Sequence, residues 1–363
     1  MRILQVVTRS EPGGAQSIVR GLAEAFVERG HQTMVAAGPE GEWKAFSGMN
    51  PNVLRYEIPD LVRALSPVRE LRAFLSLRAL YKTWKPDIVH LHTSKAAALG
   101  RLAGVIPPNH IVYTMHGYDQ LRLENHCFLS IDILLRHRTG AIVAVTRKDK
   151  EAMSIDGYAS HLILNGVFDA TKESLEDPII TDRLRKLRAS GKMVVVTIAR
   201  DARPKRIDLT RQVAEILRGQ VQIAWIGGDP RSGDPENFHA LGVIANASMY
   251  LKYADLFLLL SDHEGLPISL LEAMSCGIPS VVSDVGGLSE ALTGIGLTKP
   301  GEGTACGFAV KGMEAAAAAI AQLSADPVRL KRMGTIARQM WLERYSIDSV
   351  ATSYLDLYTS LLG

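Results

Sequence analysis

Residues 261–290 read SDHEGLPISLLEAMSCGIPSVVSDVGGLSE, and this stretch decides the fold. An apolar run over 255–260 leads into it. Such a run, bounded by turn residues, predicts a buried strand. Pro267 suits the first position of a helix, where its missing N–H is not needed. The helix is expected to continue over 268–275 and to stop at Gly277. One carboxylate, Glu264, then stands at the C-terminal end of a strand beside a helix start. A second, Glu272, follows one to two turns along that helix. In an open α/β sheet this edge is where ligands bind.

Outward from this stretch, short apolar runs alternate with helical patterns, which predicts βαβ units and parallel sheets. In the first half, strands are expected at 3–7, 33–37, 88–92, 111–116 and 141–145, with a short one at 161–164. Helices are expected at 15–29, 67–84, 95–104 and 147–155. A polar stretch, 169–192, follows, and the pattern restarts. The second set of strands is 193–198, 221–226, 255–260, 280–283 and 308–310. Its helices are 209–218, 267–275, 288–292, 313–324 and 327–344. Residues 346–362 are helical by pattern, but periodicity alone assigns them no packing partner. A chain of 363 residues favours two domains over one, here joined near 165–190.

Composition narrows the class. A 47% hydrophobic, 22% charged chain is globular rather than disordered. A net charge of +3 is far from that of a nucleic-acid binder, but it suits an anionic substrate or an anionic membrane surface. Cys127, Cys276 and Cys306 form no Cys-x-x-Cys pair. Neither a zinc site nor a disulfide framework is therefore expected, and the compartment is expected to be the reducing cytosol. No signal peptide or membrane-spanning run is expected.

Further residues gather at predicted strand ends. Exposed N–H groups at a helix start attract phosphate, and ionised carboxylates such as Glu264 and Glu272 accept hydrogens from paired hydroxyls. Together these describe a nucleotide-sugar site. Arg200 and Lys205 follow the strand at 193–198 and supply charge able to neutralise a diphosphate leaving group; Arg203 and Arg206 leave open which cations act. Gly13 and Gly14 allow close backbone approach ahead of the first helix, although this loop has neither the G-x-G-x-x-G fingerprint nor a P-loop lysine. His116, in Thr114-Met-His-Gly117-Tyr-Asp119, ends another strand. His90 and His92 share one strand face and lack a third ligand, which favours structural roles. Two basic apolar helices, 67–85 and 121–138 (with Arg69, Arg72, Arg122, Arg136, Leu71 and Leu75), are able to lie on anionic lipid or to be core-facing helices with a charged outer side.

The Glu264/Glu272 spacing, E-x7-E, resembles the signature of glycosyltransferase family 4, retaining enzymes of the GT-B fold. Pro12-Gly-Gly14 resembles the family's first-loop glycines, and Thr114–Gly117 its histidine motif. Leu164-Asn-Gly-Val167 resembles its Pro-Asn-Gly-Val turn, and Arg200 with Lys205 its cation pair. Glu264-Gly-Leu-Pro through Glu272-Ala-Met, Gly277-Ile-Pro and Gly286-Gly287 match almost letter for letter. The departures are Ala199-Arg200-Asp201 in place of Gly-Arg-Leu, Arg206 in place of the glycine after the lysine, and Leu164 in place of proline.

The resemblance implies an α/β chain of GT-B fold, two Rossmann-like domains facing an interdomain cleft. Residues 1–168 would form the acceptor domain and 169–345 the donor domain, with helix 346–363 packing back on the first. Glu272 would hold ribose hydroxyls and Glu264 the transferred sugar. Arg200 and Lys205 would stabilise the departing diphosphate. The backbone at Gly265, Leu266, Pro267, Ile268 and Ser269, with Gly14, would complete the donor site. His116 would touch the sugar or the acceptor. No metal or other cofactor is expected. The implied substrates are a nucleotide-diphosphate sugar, UDP-linked, and a saccharide or polyprenol-diphosphate-saccharide acceptor, in capsule or exopolysaccharide synthesis. A peripheral contact with the inner face of the cell membrane would go with that role. The rival readings are a nucleotide-sugar epimerase of similar fold and a non-catalytic nucleotide-sugar-binding partner.

Overall fold

The computed structural model describes residues 1–118, 126–172, 176–293 and 306–363. Asp119 and Arg122 lie outside the described residues, as do the side chains of Cys127, Phe128 and Leu129. The chain divides into two compact units, one of Met1–Gly166 with Ile347–Gly363, the other of Val167–Ser346.

The first unit is built on β1 (Arg2–Val7), β2 (Gln32–Ala37), β3 (Leu54–Glu57), β4 (Ile88–Leu91), β5 (Ile111–Met115), β6 (Ala141–Ala144) and β7 (Ser160–Leu162). They form one parallel sheet in the order β3-β2-β1-β4-β5-β6-β7. Helices cover both faces, so the central strands read as continuous aliphatic runs. Leu4, Val6, Val89 and Leu91 face one helical layer, Val7, Val35 and Ala37 the other.

The second unit contains β8 (Met193–Ile198), β9 (Val221–Ile226), β10 (Phe238–Ala240), β11 (Leu256–Leu259), β12 (Ser280–Ser283) and β13 (Gly307–Val310). Their order is β10-β9-β8-β11-β12-β13, again all parallel. This is the doubly wound order in which the chain reverses direction across the sheet. The reversal falls between β8 and β11, and between β1 and β4 in the first sheet. His116 follows the carboxyl end of β5 in the first sheet, and Arg200, Lys205 and Glu264 follow the carboxyl ends of β8 and β11 in the second.

The structure corrects several expectations. The polar stretch 169–192 is not simply a connector: it contains the helix Pro178–Ala189. Pro178 opens it, Asp177 caps Ile179 N at 2.8 Å, and Ile180 and Leu184 are buried. Its abundant charge, including Asp182–Lys186 at i,i+4, gave it the look of a linker. Strands β3 and β10 also escaped the sequence pattern. All four residues of β3 are exposed, and β10 is only three residues long. Edge strands such as these are held by pairing on one side rather than by burial on two faces. The helix expected over 327–344 ends at Met340 and passes into a single π turn, Trp341–Tyr345.

The last helix, Ile347–Leu362, belongs to the first unit. It buries Ile347, Val350, Ala351, Tyr354, Leu357 and Tyr358, one face at helical spacing. Tyr354 Oη bonds Thr114 Oγ1 at 2.9 Å, and Tyr358 Oη bonds His90 Nδ1 at 2.7 Å. The Tyr358 ring also meets Phe26 edge-on.

Candidate active site

In the second unit, loops after β8, β11 and β12 converge. The 200–206 loop is tied to the end of β11 by backbone hydrogen bonds. Arg206 N donates to Leu260 O at 2.9 Å and Asp262 N to Pro204 O at 3.0 Å. Lys205 and Ser261 form an antiparallel bridge. These bonds place Lys205 Nζ 2.5 Å from Glu264 Oε1, with the side chains only 15% and 11% exposed. Oε1 makes no hydrogen bond among the described residues, so the contact is ionic rather than an aligned hydrogen bond.

The third loop fixes the backbone of Glu264. Gly287 N donates to Glu264 O at 3.2 Å. Gly286 has φ +47°, and a Cβ there would stand 1.9 Å from the same oxygen. Only glycine combines that left-handed conformation with so close an approach.

Pro267 is the N-cap of the helix Ile268–Ser275 rather than its first helical residue, and it brings no capping side chain. The helix ends at Cys276 with Gly277 at φ +69°. Leu270, Leu271, Ala273 and Met274 turn into the core. Glu272 is partly exposed on the second turn, while Leu266 is buried and Gly265, Ile268 and Ser269 are partly so.

The structure separates the cations of this loop. Arg206 is committed to Asp208 and Asp262, with Nε–Oδ1 and Nη1–Oδ1 distances of 2.9 Å each. The hydrogen bonds it donates to those two carboxylates raise its already high pKa. Neither acid was singled out in the sequence, although the Arg206-x-Asp208 spacing is visible there. Lys205 is taken by Glu264. Arg200 and Arg203 are exposed and have no ion-pair partner among the described residues. Asp201, beside Arg200, is paired with Arg231 instead.

The first unit carries the remaining residues. Gly14 is exposed and opens the helix Gly14–Glu28 after an extended Gly13. His116 follows β5. Its Nε2 lies 3.2 Å from His92 Nδ1, and the two rings stack at 5.5 Å between centroids. Burial pushes the His116 imidazole down to about 4, against a smaller opposing effect of its hydrogen bond with Asn165. The residue as a whole is nonetheless partly exposed. His90 and His92 are both buried, 3.9 Å apart between ring centroids, as strand alternation requires. Burial holds both well below the usual imidazole range. All three rings are therefore neutral at pH 7, and His116 can donate or accept a hydrogen bond without carrying charge. His92 and Asn165 as neighbours of His116 were not legible from spacing. No group of three or more His, Cys, Asp or Glu among the described residues is disposed to hold a metal ion.

Residues 12–170 match the model of Glycosyltransferase Family 4, and residues 180–340 match that of Glycosyl transferases group 1. The chain belongs to the family 4 glycosyltransferases. This glycosyltransferase is 28% identical over 307 residues to the O-antigen biosynthesis glycosyltransferase WbnH of Escherichia coli, across 80% of this chain and 84% of that protein. It is 24% identical over 266 residues to the Escherichia coli UDP-Gal:alpha-D-GlcNAc-diphosphoundecaprenol alpha-1,3-galactosyltransferase, across 66% of this chain and 68% of that one. Its fold matches the crystal structure of Anabaena Alr3699/HepE in complex with UDP and glucose, at a TM-score of 0.81 and 18% identity, over 99% of this chain and 100% of that one. The two parallel-sheet units of this glycosyltransferase are thus those of the GT-B fold. Its matched segments contain both sets of strand-end residues, Gly14 and His116 in the first and Arg200, Lys205, Glu264 and Glu272 in the second.

Proposed function

We propose that this glycosyltransferase moves a sugar from a UDP-linked donor to a saccharide or polyprenol-diphosphate-linked saccharide, with retention at the anomeric carbon, during assembly of a cell-surface polysaccharide such as capsule, exopolysaccharide or O-antigen. The observation that carries the reading is the Lys205–Glu264 contact, with the exposed Arg200 on the same loop as Lys205, at the point where the second sheet reverses. The names of two relatives support the substrate class, one a transferase of O-antigen biosynthesis and one acting with UDP-Gal on a diphosphoundecaprenol-linked sugar.

In this proposal the C1–O bond to the diphosphate breaks with its electron pair staying on the diphosphate, the acceptor hydroxyl oxygen bonds to C1, and the hydroxyl proton passes to the departing diphosphate. Arg200 and Lys205 take up that charge, aided by the uncapped N–H groups at Ile268 and Ser269. Preformed cations of this kind need no reorganisation as charge develops. Glu272 holds the ribose hydroxyls, and Glu264 a hydroxyl of the transferred sugar. Gly14 and the neutral His116 serve the same reaction from the first unit. The two cations stand where a divalent ion would otherwise be required, so the proposal includes no metal and no other cofactor. A lipid-linked acceptor would bring the protein to the inner face of a membrane as a peripheral component. No helix among the described residues is long and apolar enough to cross one.

The test is a panel of nucleotide sugars with and without acceptor. Transfer to a saccharide acceptor from a UDP-sugar is expected, with the donor stable alone. Conversion of the donor alone would instead identify an epimerase, and binding without either reaction a non-catalytic partner. In calorimetry with UDP, Lys205→Ala is expected to weaken binding by roughly 10- to 100-fold, the worth of one charge-assisted hydrogen bond. Unchanged affinity would remove Lys205 from the diphosphate site.

A further inference from the structure

The helix Pro67–Trp84 is apolar on two opposite faces. One face buries Ala73, Leu77, Leu80 and Tyr81 in the core of the first unit. The other presents Val68, Leu71 and Leu75, which are 59%, 58% and 52% exposed, with Leu65 at 71% just before the helix. At 100° per residue, positions 68, 71 and 75 fall within about 60° of one another and opposite the core stripe. The core-facing alternative read from the sequence is therefore realised on one stripe, and a second apolar stripe of the same helix is left exposed.

Charge accompanies the outer stripe. Residues 61–104 hold eight Lys and Arg against two Asp and Glu, an excess of six, whereas the whole chain is only +3. The remainder of the chain is thus net acidic. Both acids in this stretch are already engaged: Glu70 is paired with Lys95 at 2.6 Å, and Asp87 accepts from Arg2 N at 2.6 Å. Arg69, Arg72 and Lys82 are exposed and have no ion-pair partner among the described residues. The same helical layer continues through Ser94–Leu102 to His126–Leu135, which exposes Ile131 and Leu134 ahead of Arg136.

We propose that this outer face of Pro67–Trp84 docks on an anionic lipid bilayer, with Leu65, Val68, Leu71 and Leu75 entering the headgroup layer and Arg69, Arg72 and Lys82 meeting lipid phosphates. The combination of an apolar stripe and unpaired cations decides the occupant. A second copy of the chain in two-fold pairing would set the same cations against themselves. A bilayer interface offers both an apolar layer and phosphate charge. The inference deepens the membrane role in the proposed function and rests on that reading for its purpose, but its test does not use the reaction.

The test is flotation of the full chain with vesicles of phosphatidylcholine, alone or mixed with phosphatidylglycerol, at low and high salt. Co-flotation is expected only with the mixed vesicles, with release by salt. Arg69→Gln with Arg72→Gln should lower partitioning by roughly 25-fold, about fivefold per cation. Leu71→Ser with Leu75→Ser should lower it by at least about tenfold. Both pairs lie on the surface and should leave thermal unfolding and UDP binding unchanged. No flotation at low salt, or equal flotation of the variants, overturns the proposal. So does vesicle-independent self-association that the leucine pair abolishes, which would assign the face to a second copy. Failure of the transfer assay leaves flotation intact, so the two outcomes are separable.

Discussion

Lys205 and Glu264 are each other's counter-ion, held 2.5 Å apart by backbone hydrogen bonds between the loops that carry them. Neither side chain can be removed without leaving the other's charge in a largely covered place. Lys205→Ala and Glu264→Ala are each expected to cost about 2 kcal/mol, between an exposed pair and a fully buried one because both groups keep some solvent. The double variant should lose less than the sum, with a coupling of about 1 kcal/mol or more. Urea denaturation of the three variants measures this, and strictly additive losses would show that the contact carries no mutual energy. Glu264→Gln, which keeps the size of the side chain, should still lose transfer by on the order of 100-fold.

Gly286 seats the backbone of Glu264, so Gly286→Ala tests that support without touching a charge. A Cβ at φ +47° and 1.9 Å from Glu264 O must push the loop aside. A loss of about 2 kcal/mol or more in stability is expected, with a still larger fall in kcat than in folding would explain. Normal turnover in Gly286→Ala would show that the position of Glu264 is not set from this loop.

The histidines predict an acid-sensitive fold. In the unfolded chain an imidazole takes up its proton near 6.5, whereas burial delays this to about 4 for His116 and holds His90 and His92 well below 6.5. Below 6.5 the unfolded state therefore binds more protons, and stability is lost as pH falls from about 6.5 toward 4. It is fully present above 6.5. His92→Gln should flatten this arm of the urea midpoint against pH. A separate loss belongs to Asp169, whose carboxyl is held down to about 2 by hydrogen bonds from Arg338. That contribution is present above 3.8 and lost as pH falls toward 2, and Arg338→Ala should remove it.

Tyr358→Phe deletes one hydroxyl and leaves His90 Nδ1 without its 2.7 Å partner in the core. A cost of about 1–3 kcal/mol is expected from the unpaired buried nitrogen. Amide exchange over 347–362 should quicken, because this bond and the Tyr354–Thr114 bond tie the helix to the first sheet. Unaltered exchange would place the helix's anchorage in its apolar face alone.

Much of the fold was legible because it is local. The runs at 3–7, 193–198 and 221–226 are mostly apolar and bounded by turns, and each is an interior strand of its sheet. The start and stop of the helix after Glu264 follow from Pro267 and Gly277 within one residue. The exposed β3 and the charged helix Pro178–Ala189 were not legible, since neither shows a long apolar period. Arg206 looked equivalent to Lys205 by residue type, and only its bonds to Asp208 and Asp262 distinguish it.

By itself the sequence determined the alternation of strands and helices and the chemistry placed at strand ends, because periodicity, caps and turn residues act over a few positions. The tertiary structure decided which distant groups meet: Lys205 with Glu264, His116 with His92, and Tyr358 with His90. It also decided that the outer leucines of Pro67–Trp84 stay uncovered. These depend on which elements pack side by side, and no local pattern carries that information.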